Sequence, residues 1–150
     1  MEVERLRAFL RRRQRIALDT SIFIYHLEPN PKYLAYTDLI FSWLERSESK
    51  AITSTITMTE LLVLPYREGD EQRANDFYGL LSTYPNLEWI APNLGIADLA
   101  ARIRALHRLR TPDALQAATA IHAHATGLIT NDSAFDRVEG LETLVLDQLL

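Results

Sequence analysis

Apolar positions along the chain switch repeatedly between a helical period and short continuous runs, which predicts helices and strands in alternation. Residues 2–14 place Val3, Leu6, Phe9 and Leu10 on one stripe of a short helix, with arginines on its other faces. The run Ile16-Ala17-Leu18 is apolar without a break and ends on Asp19, as expected of a buried parallel strand leaving its sheet. Residues 21–27 read as a helix broken by Pro29 and Pro31. Residues 33–47 read as another, with Leu39, Ile40, Trp43 and Leu44 facing inward. Ala51-Ile52-Thr53 is a second strand. Ser54 or Thr55 then caps a helix with Met58, Leu61, Leu62 and Leu64 on its apolar side, stopping near Pro65. Asp70 caps a helix reaching Thr83, and residues 87–90 form a third strand. Asn93 caps a helix through Leu109 whose apolar positions are Ile96, Leu99, Ile103 and Leu106. Thr111-Pro112 reads as a hydroxyl cap followed by proline at the first helical position, and Gly127 ends the alanine-rich helix 113–125. Leu128-Ile129-Thr130 is a fourth strand, delivering Asp132. A helical turn around Ala134 and a strand at 143–146 follow.

This alternation predicts an α/β layer fold: a central, mostly parallel sheet of about five short strands flanked by helices. The 150 residues suit one domain, 16–150, preceded by a basic helical leader, 1–15. Hydrophobic residues at 47% and charged residues at 24% are ordinary for a globular chain and exclude a disordered or coiled-coil one. No apolar run has the length of a membrane span and no signal peptide precedes Asp19, so a cytoplasmic protein is expected. The absence of cysteine removes disulfides, thiolate metal sites and cysteine nucleophiles together.

The net charge of −4 argues against binding nucleic acid by bulk attraction. Its distribution is uneven. Residues 1–15 carry six arginines and two glutamates, and the remainder is strongly acidic. Arg11, Arg12 and Arg13 in the leader are therefore candidate contacts to RNA phosphates, against the simpler reading of a solvated helix face.

Ligands of open parallel sheets sit beyond the carboxyl ends of the strands. Asp19 and Asp132 follow strands, Asp113 lies in the first turn of a helix, and Glu60 lies about a turn into another. Each acid alone also reads as a cap or turn residue. Brought together, they would repel: two carboxylates about 5 Å apart oppose each other by roughly 3 kcal/mol at an effective dielectric of 20. A hard divalent cation, Mg²⁺ or Mn²⁺, would relieve that conflict and support phosphodiester hydrolysis by a metal-activated water.

Four strings carry a family resemblance. Ile16-Ala17-Leu18-Asp19-Thr20-Ser21-Ile22-Phe23, Thr57-Met58-Thr59-Glu60-Leu61, Thr111-Pro112-Asp113-Ala114-Leu115-Gln116-Ala117-Ala118-Thr119-Ala120 and Leu128-Ile129-Thr130-Asn131-Asp132-Ser133-Ala134-Phe135 resemble, in order, the acid-bearing segments of PIN domains. The chain looks most like the VapC-type toxins of prokaryotic toxin–antitoxin pairs. The resemblance implies a three-layer PIN-like fold and a metal-dependent endoribonuclease. It also implies a homodimer and an antitoxin partner that covers the active-site groove. It carries Asp19, Glu60, Asp113 and Asp132 over as the acidic pocket, with Asp19 and Asp113 on the metal and Glu60 and Asp132 binding directly or through water. Thr20, Ser21 and Thr130 are candidates to orient carboxylates or water through their hydroxyls. Asp136 is at most auxiliary beside Arg137.

Two other classes compete. A phospho-accepting receiver-type domain also uses strand-end aspartates but generally needs a late lysine, and no lysine follows Lys50. A non-catalytic PIN-like interaction module is the other. His122 and His124, two apart on a helix, point to different faces and make a poor ligand pair. Phe41 and Trp43 are expected in the core, with a dimer or antitoxin surface as the alternative.

Overall fold

The computed structural model describes residues 2–12, 15–46 and 48–149. The expected Arg13 contact lies outside the described residues. The elements run α1 (Glu2–Arg11), β1 (Arg15–Leu18), α2 (Thr20–Leu27), α3 (Leu34–Leu44), β2 (Lys50–Ser54), α4 (Thr55–Arg67), α5 (Glu71–Ser82), β3 (Leu87–Ile90), α6 (Leu94–His107), α7 (Thr111–His122), β4 (Gly127–Thr130) and β5 (Thr143–Val145). Short 3₁₀ turns, Ser133–Arg137 and Leu146–Leu149, flank β5. The strands form one parallel sheet in the order β3-β2-β1-β4-β5.

The runs 16–18 of β1 and 128–129 of β4 are apolar without a break because both faces of these strands are covered. Successive β1 residues serve opposite layers: Ile16 and Leu18 pack into one core cluster with α1, α2 and α3, while Ala17 packs into another with α6 and α7. β4 does the same with Ile129 and Leu128. The result is three layers. Leu6, Phe9 and Leu10 of α1 belong to the first cluster, so that helix is packed on the body of the fold. Phe41 and Trp43 are buried in the same cluster. Among the described residues no helix is long and apolar enough to cross a membrane.

The chain leaves β1 toward β2 on one side and returns to β4 on the other, which makes the carboxyl ends of β1 and β4 the switch point of the sheet. The adjacency persists past the strand ends, where the Asp19 amide donates to the Ile129 carbonyl at 3.2 Å.

Several local expectations are corrected. Pro65 does not stop α4; its ring is buried and the helix runs on to Arg67. The missing N–H of Pro65 costs one bond of the helix ladder, set against burial of the ring. Leu64, expected inward, is exposed, and Thr57, Leu61 and Pro65 form the buried stripe instead. On α6 the stripe runs through Ile96, Ala100 and Ile103, leaving Leu106 exposed. Thr111 does not cap α7: Arg110 takes the extended cap position without a side-chain cap bond, and Thr111 is the first helical residue.

Nor does Gly127 end α7; it opens β4. The helix closes earlier, with His124 in the left-handed region, its amide bonded to Ile121 and the Ala125 amide to Ala120. That is a Schellman closure built without glycine.

Candidate active site

Asp19 caps α2 at the end of β1. Its Oδ1 accepts from the Ser21 amide at 2.9 Å and the Ser21 hydroxyl at 2.5 Å, and its Oδ2 from the Thr130 hydroxyl at 2.5 Å. The side chain is buried, and burial pushes its pKa up from the ordinary 3.8 to about 6 against those three donors, with the Asp113 charge adding to the rise. Asp113 stands in the first turn of α7, 17% exposed. Partial burial raises its pKa, Arg110 opposes the rise, and the charges of Asp132 and Glu60 add to it. The four acids, far apart in the sequence, therefore lie within electrostatic reach around Asp113 at the carboxyl edge of the sheet.

Hydroxyl bridges join them. Thr130 Oγ1, while donating to Asp19, accepts from the Asp132 amide at 3.0 Å. Asp132 caps the following 3₁₀ turn through its Oδ1. Glu60 Oε1 accepts from the Thr20 hydroxyl at 2.6 Å. The remaining oxygens, Oε2 of Glu60, Oδ2 of Asp132 and Oδ1 of Asp113, have no partner among the described residues.

Beneath this rim runs a chain of bonds that sequence reading missed. Thr53 donates to the Leu18 carbonyl at 2.9 Å. A hydroxyl has a single proton, so Thr57, 2.8 Å away, must donate to Thr53. Thr57 then accepts from the Gln116 amide at 2.7 Å, and the Thr20 proton is committed to Glu60. The chain ties β1, β2, α4, α7 and α2 together under the acids. Its signal was available: Thr57 precedes Glu60 and Gln116 follows Asp113 by three residues, which puts each pair on one helix face.

Thr57→Val should leave the buried Gln116 amide with only the long 3.5 Å bond to the Thr20 hydroxyl, and destabilise the protein by about 1–3 kcal/mol, measured by denaturant unfolding. An unchanged midpoint would show that the network does not stabilise the fold.

A second missed residue is Asn131. Its amide bonds to the Ser21 hydroxyl at 3.2 Å. Its Nδ2 donates to Tyr25 and Tyr33 at 2.9 and 3.0 Å, and its Oδ1 accepts from the Asp147 amide. Asn131 thereby pins the loop that carries Asp132 to the stacked Tyr25–Tyr33 pair.

The other expected residues lie elsewhere. Asp136 accepts from Gln148 at 3.2 Å. Arg11 ends α1 and Arg12 follows it, just before the amino end of β1 and thus at the opposite edge of the sheet from the acids. Lys32 pairs with Asp147 and Lys50 opens β2, so neither lysine takes the place that a phospho-accepting aspartate would need filled.

Among the described residues no group of three or more His, Cys, Asp or Glu side chains is arranged to hold a metal ion. The donor set still fits a hard divalent cation. It is all oxygen, the Asp113 charge adds to the raised pKa of Asp19 as the Asp132 and Glu60 charges add to that of Asp113, and such ions take one or two protein carboxylates and keep several waters.

The PIN domain family model matches residues 16–141. The chain is similar to a chain of a toxin–antitoxin complex from Klebsiella pneumoniae, with 25% identity, a TM-score of 0.64, and coverage of 87% of this chain and 97% of that one. It is similar at 25% identity and a TM-score of 0.67 to VapBC-1 from nontypeable Haemophilus influenzae, over 89% of this chain and 98% of that one. VapBC2 from Rickettsia felis, bound to a DNA fragment from its promoter, matches at 20% identity and a TM-score of 0.67, over 87% and 98% of the two chains. No curated protein matches the chain.

Proposed function

This chain belongs to the PIN-domain family, and from that premise we propose that it is a VapC-type toxin: a metal-dependent endoribonuclease restrained by an antitoxin. The observation that carries the reading is the buried carboxylate of Asp19 within electrostatic reach of the like charge of Asp113, which among the described residues is paired with the exposed Arg110 alone. The toxin–antitoxin neighbours support the antitoxin partner. RNA as substrate, a homodimer and a cytoplasmic setting follow the family resemblance.

In this reading Asp19 and Asp113 hold Mg²⁺ or Mn²⁺, with Glu60 and Asp132 contributing directly or through water. The bound ion supplies Lewis acidity toward the phosphoryl oxygen and lowers the pKa of water. Ser21 and Thr130 lock the Asp19 carboxylate in one orientation by donating to both its oxygens. Thr20 does the same for Glu60 through Oε1, leaving Oε2 to accept a proton from a water beside the scissile phosphate. The unpaired Oδ2 of Asp132 is a second such acceptor. Asp136 and the arginines of α1 are assigned no step.

The test is cleavage of labelled single-stranded RNA by the purified chain. Mn²⁺ or Mg²⁺ should support it, and excess EDTA should lower the rate by about 100-fold or more, reversibly. Cleavage that is indifferent to EDTA, or equal in wild type and Asp113→Asn, rejects the assignment.

A further inference from the structure

Among the described residues Arg110 is the cation paired with Asp113, and the way it is held does not resemble a structural ion pair. One nitrogen, Nε, reaches Asp113 Oδ2 at 3.4 Å, long for a charge-assisted bond. The side chain is 79% exposed, a setting in which an ion pair contributes little. Nη1 and Nη2 have no partner among the described residues. The backbone beneath is fixed: the Arg110 carbonyl accepts from the Ala114 amide, the neighbouring Leu109 is buried, and Arg104 bonds the Leu109 carbonyl. A rigid base thus presents a loosely held guanidinium, its forked end free, at the rim of the acid pocket.

We propose that Arg110 exchanges partners during the reaction, shielding Asp113 until a divalent cation binds and then clamping a phosphate of the substrate through its free Nη1 and Nη2. The inference rests on the nuclease reading and adds to it a residue that touches substrate. Asp113 cannot satisfy both cations at full strength, because a divalent ion on its carboxylate repels the guanidinium beside it. The arriving phosphodiester is an anion whose paired oxygens match the planar fork, which an ammonium does not offer. Arg110 therefore opposes metal binding and favours substrate binding, so its removal should move the two affinities in opposite directions.

The experiment uses the full chain and three variants: Arg110→Gln, Arg110→Lys and the control Arg102→Gln, which loses an exposed pair with Asp98 one helix earlier. Mn²⁺ binding is measured by calorimetry without RNA. Binding of a fluorescein-labelled single-stranded RNA is measured by anisotropy with saturating Ca²⁺. Arg110→Gln should bind Mn²⁺ about three- to tenfold more tightly than wild type. The same variant should bind RNA about tenfold more weakly. Arg110→Lys should keep the wild-type Mn²⁺ affinity but recover only part of the RNA affinity, and Arg102→Gln should match wild type in both.

Unchanged or weakened Mn²⁺ binding in Arg110→Gln, or unchanged RNA binding, overturns the exchange while leaving the nuclease reading intact. Full recovery by lysine overturns the forked contact. A wild type that takes up no Mn²⁺ at millimolar concentration brings down the metal-dependent reading and this inference together.

Discussion

Asp19→Asn should lower RNA cleavage by about three orders of magnitude or more while leaving the fold intact. The reason lies in the direction of the bonds at this position. Ser21 and Thr130 all donate to the carboxylate, which accepts on both oxygens. An asparagine keeps one acceptor and turns an amino group toward Thr130, whose hydroxyl already accepts from the Asp132 amide. The Thr130 proton loses its acceptor, at a penalty of about 1 kcal/mol. Opposing this, the substitution removes a desolvated negative charge that burdens the metal-free protein at neutral pH. The balance favours the variant, so its thermal midpoint without metal should equal or exceed that of wild type. What it loses is the charge that holds the cation. Cleavage within tenfold of wild type, in preparations free of contaminating nuclease, would contradict the role assigned to Asp19.

The same burial makes stability depend on pH in a direction opposite to the usual carboxylate. The pKa of Asp19 is raised from 3.8 to about 6 by burial, so the folded state holds the proton more tightly than the unfolded chain. The stability this provides is fully present below pH 3.8 and is lost as pH rises through 6. The loss amounts to roughly 3 kcal/mol. Asp113, raised chiefly by its own partial burial, acts in the same direction.

His26, lowered by burial against Phe41, acts the other way: its contribution is present above pH 6.5 and fades below it. Asp19 is the more deeply buried of the two and sets the net trend. Asp147 is held low by the Tyr33 hydroxyl and so responds only to stronger acid.

Urea unfolding of the metal-free protein should therefore show stability falling between about pH 4.5 and pH 7.5. Saturating Mn²⁺ should reverse the fall, because the ion binds the ionised carboxylate and its apparent affinity rises over the same interval. In Asp19→Asn most of both effects should vanish. A metal-free stability that is flat or rises across this range would contradict the burial of a charged Asp19.

What could be read from the sequence was the frame of the site. Continuous apolar runs ending in Asp19 and near Asp132 marked parallel strands, because only a strand covered on both faces is apolar throughout. Asp113 and Glu60 were marked by the four motif strings taken together.

Less legible was everything that depends on how one element sits on another. Thr53, Thr57 and Gln116 look like ordinary polar residues until three elements close over them, after which their protons have a single consistent arrangement. Asn131 was quoted within a motif, yet its bonds to Tyr25 and Tyr33 span about a hundred residues and leave no local trace. Pro65 and Leu64 were misplaced because tertiary burial, not the local preference of proline, decides which stripe of α4 faces inward. Thr111 was misread as a cap because hydroxyl followed by proline fits both the cap and the first helical turn.

In the proposed reaction a divalent cation is shared by carboxylates meeting at the carboxyl ends of β1 and β4. A crystal structure of the full chain soaked in Mn²⁺, with anomalous diffraction recorded at the manganese edge, tests it most directly. A peak is expected at coordination distance, about 2–2.5 Å, from oxygens of Asp19 and Asp113, with Arg110 drawn away from Asp113. Manganese elsewhere on the surface, or an empty rim at a concentration that supports cleavage, would contradict it.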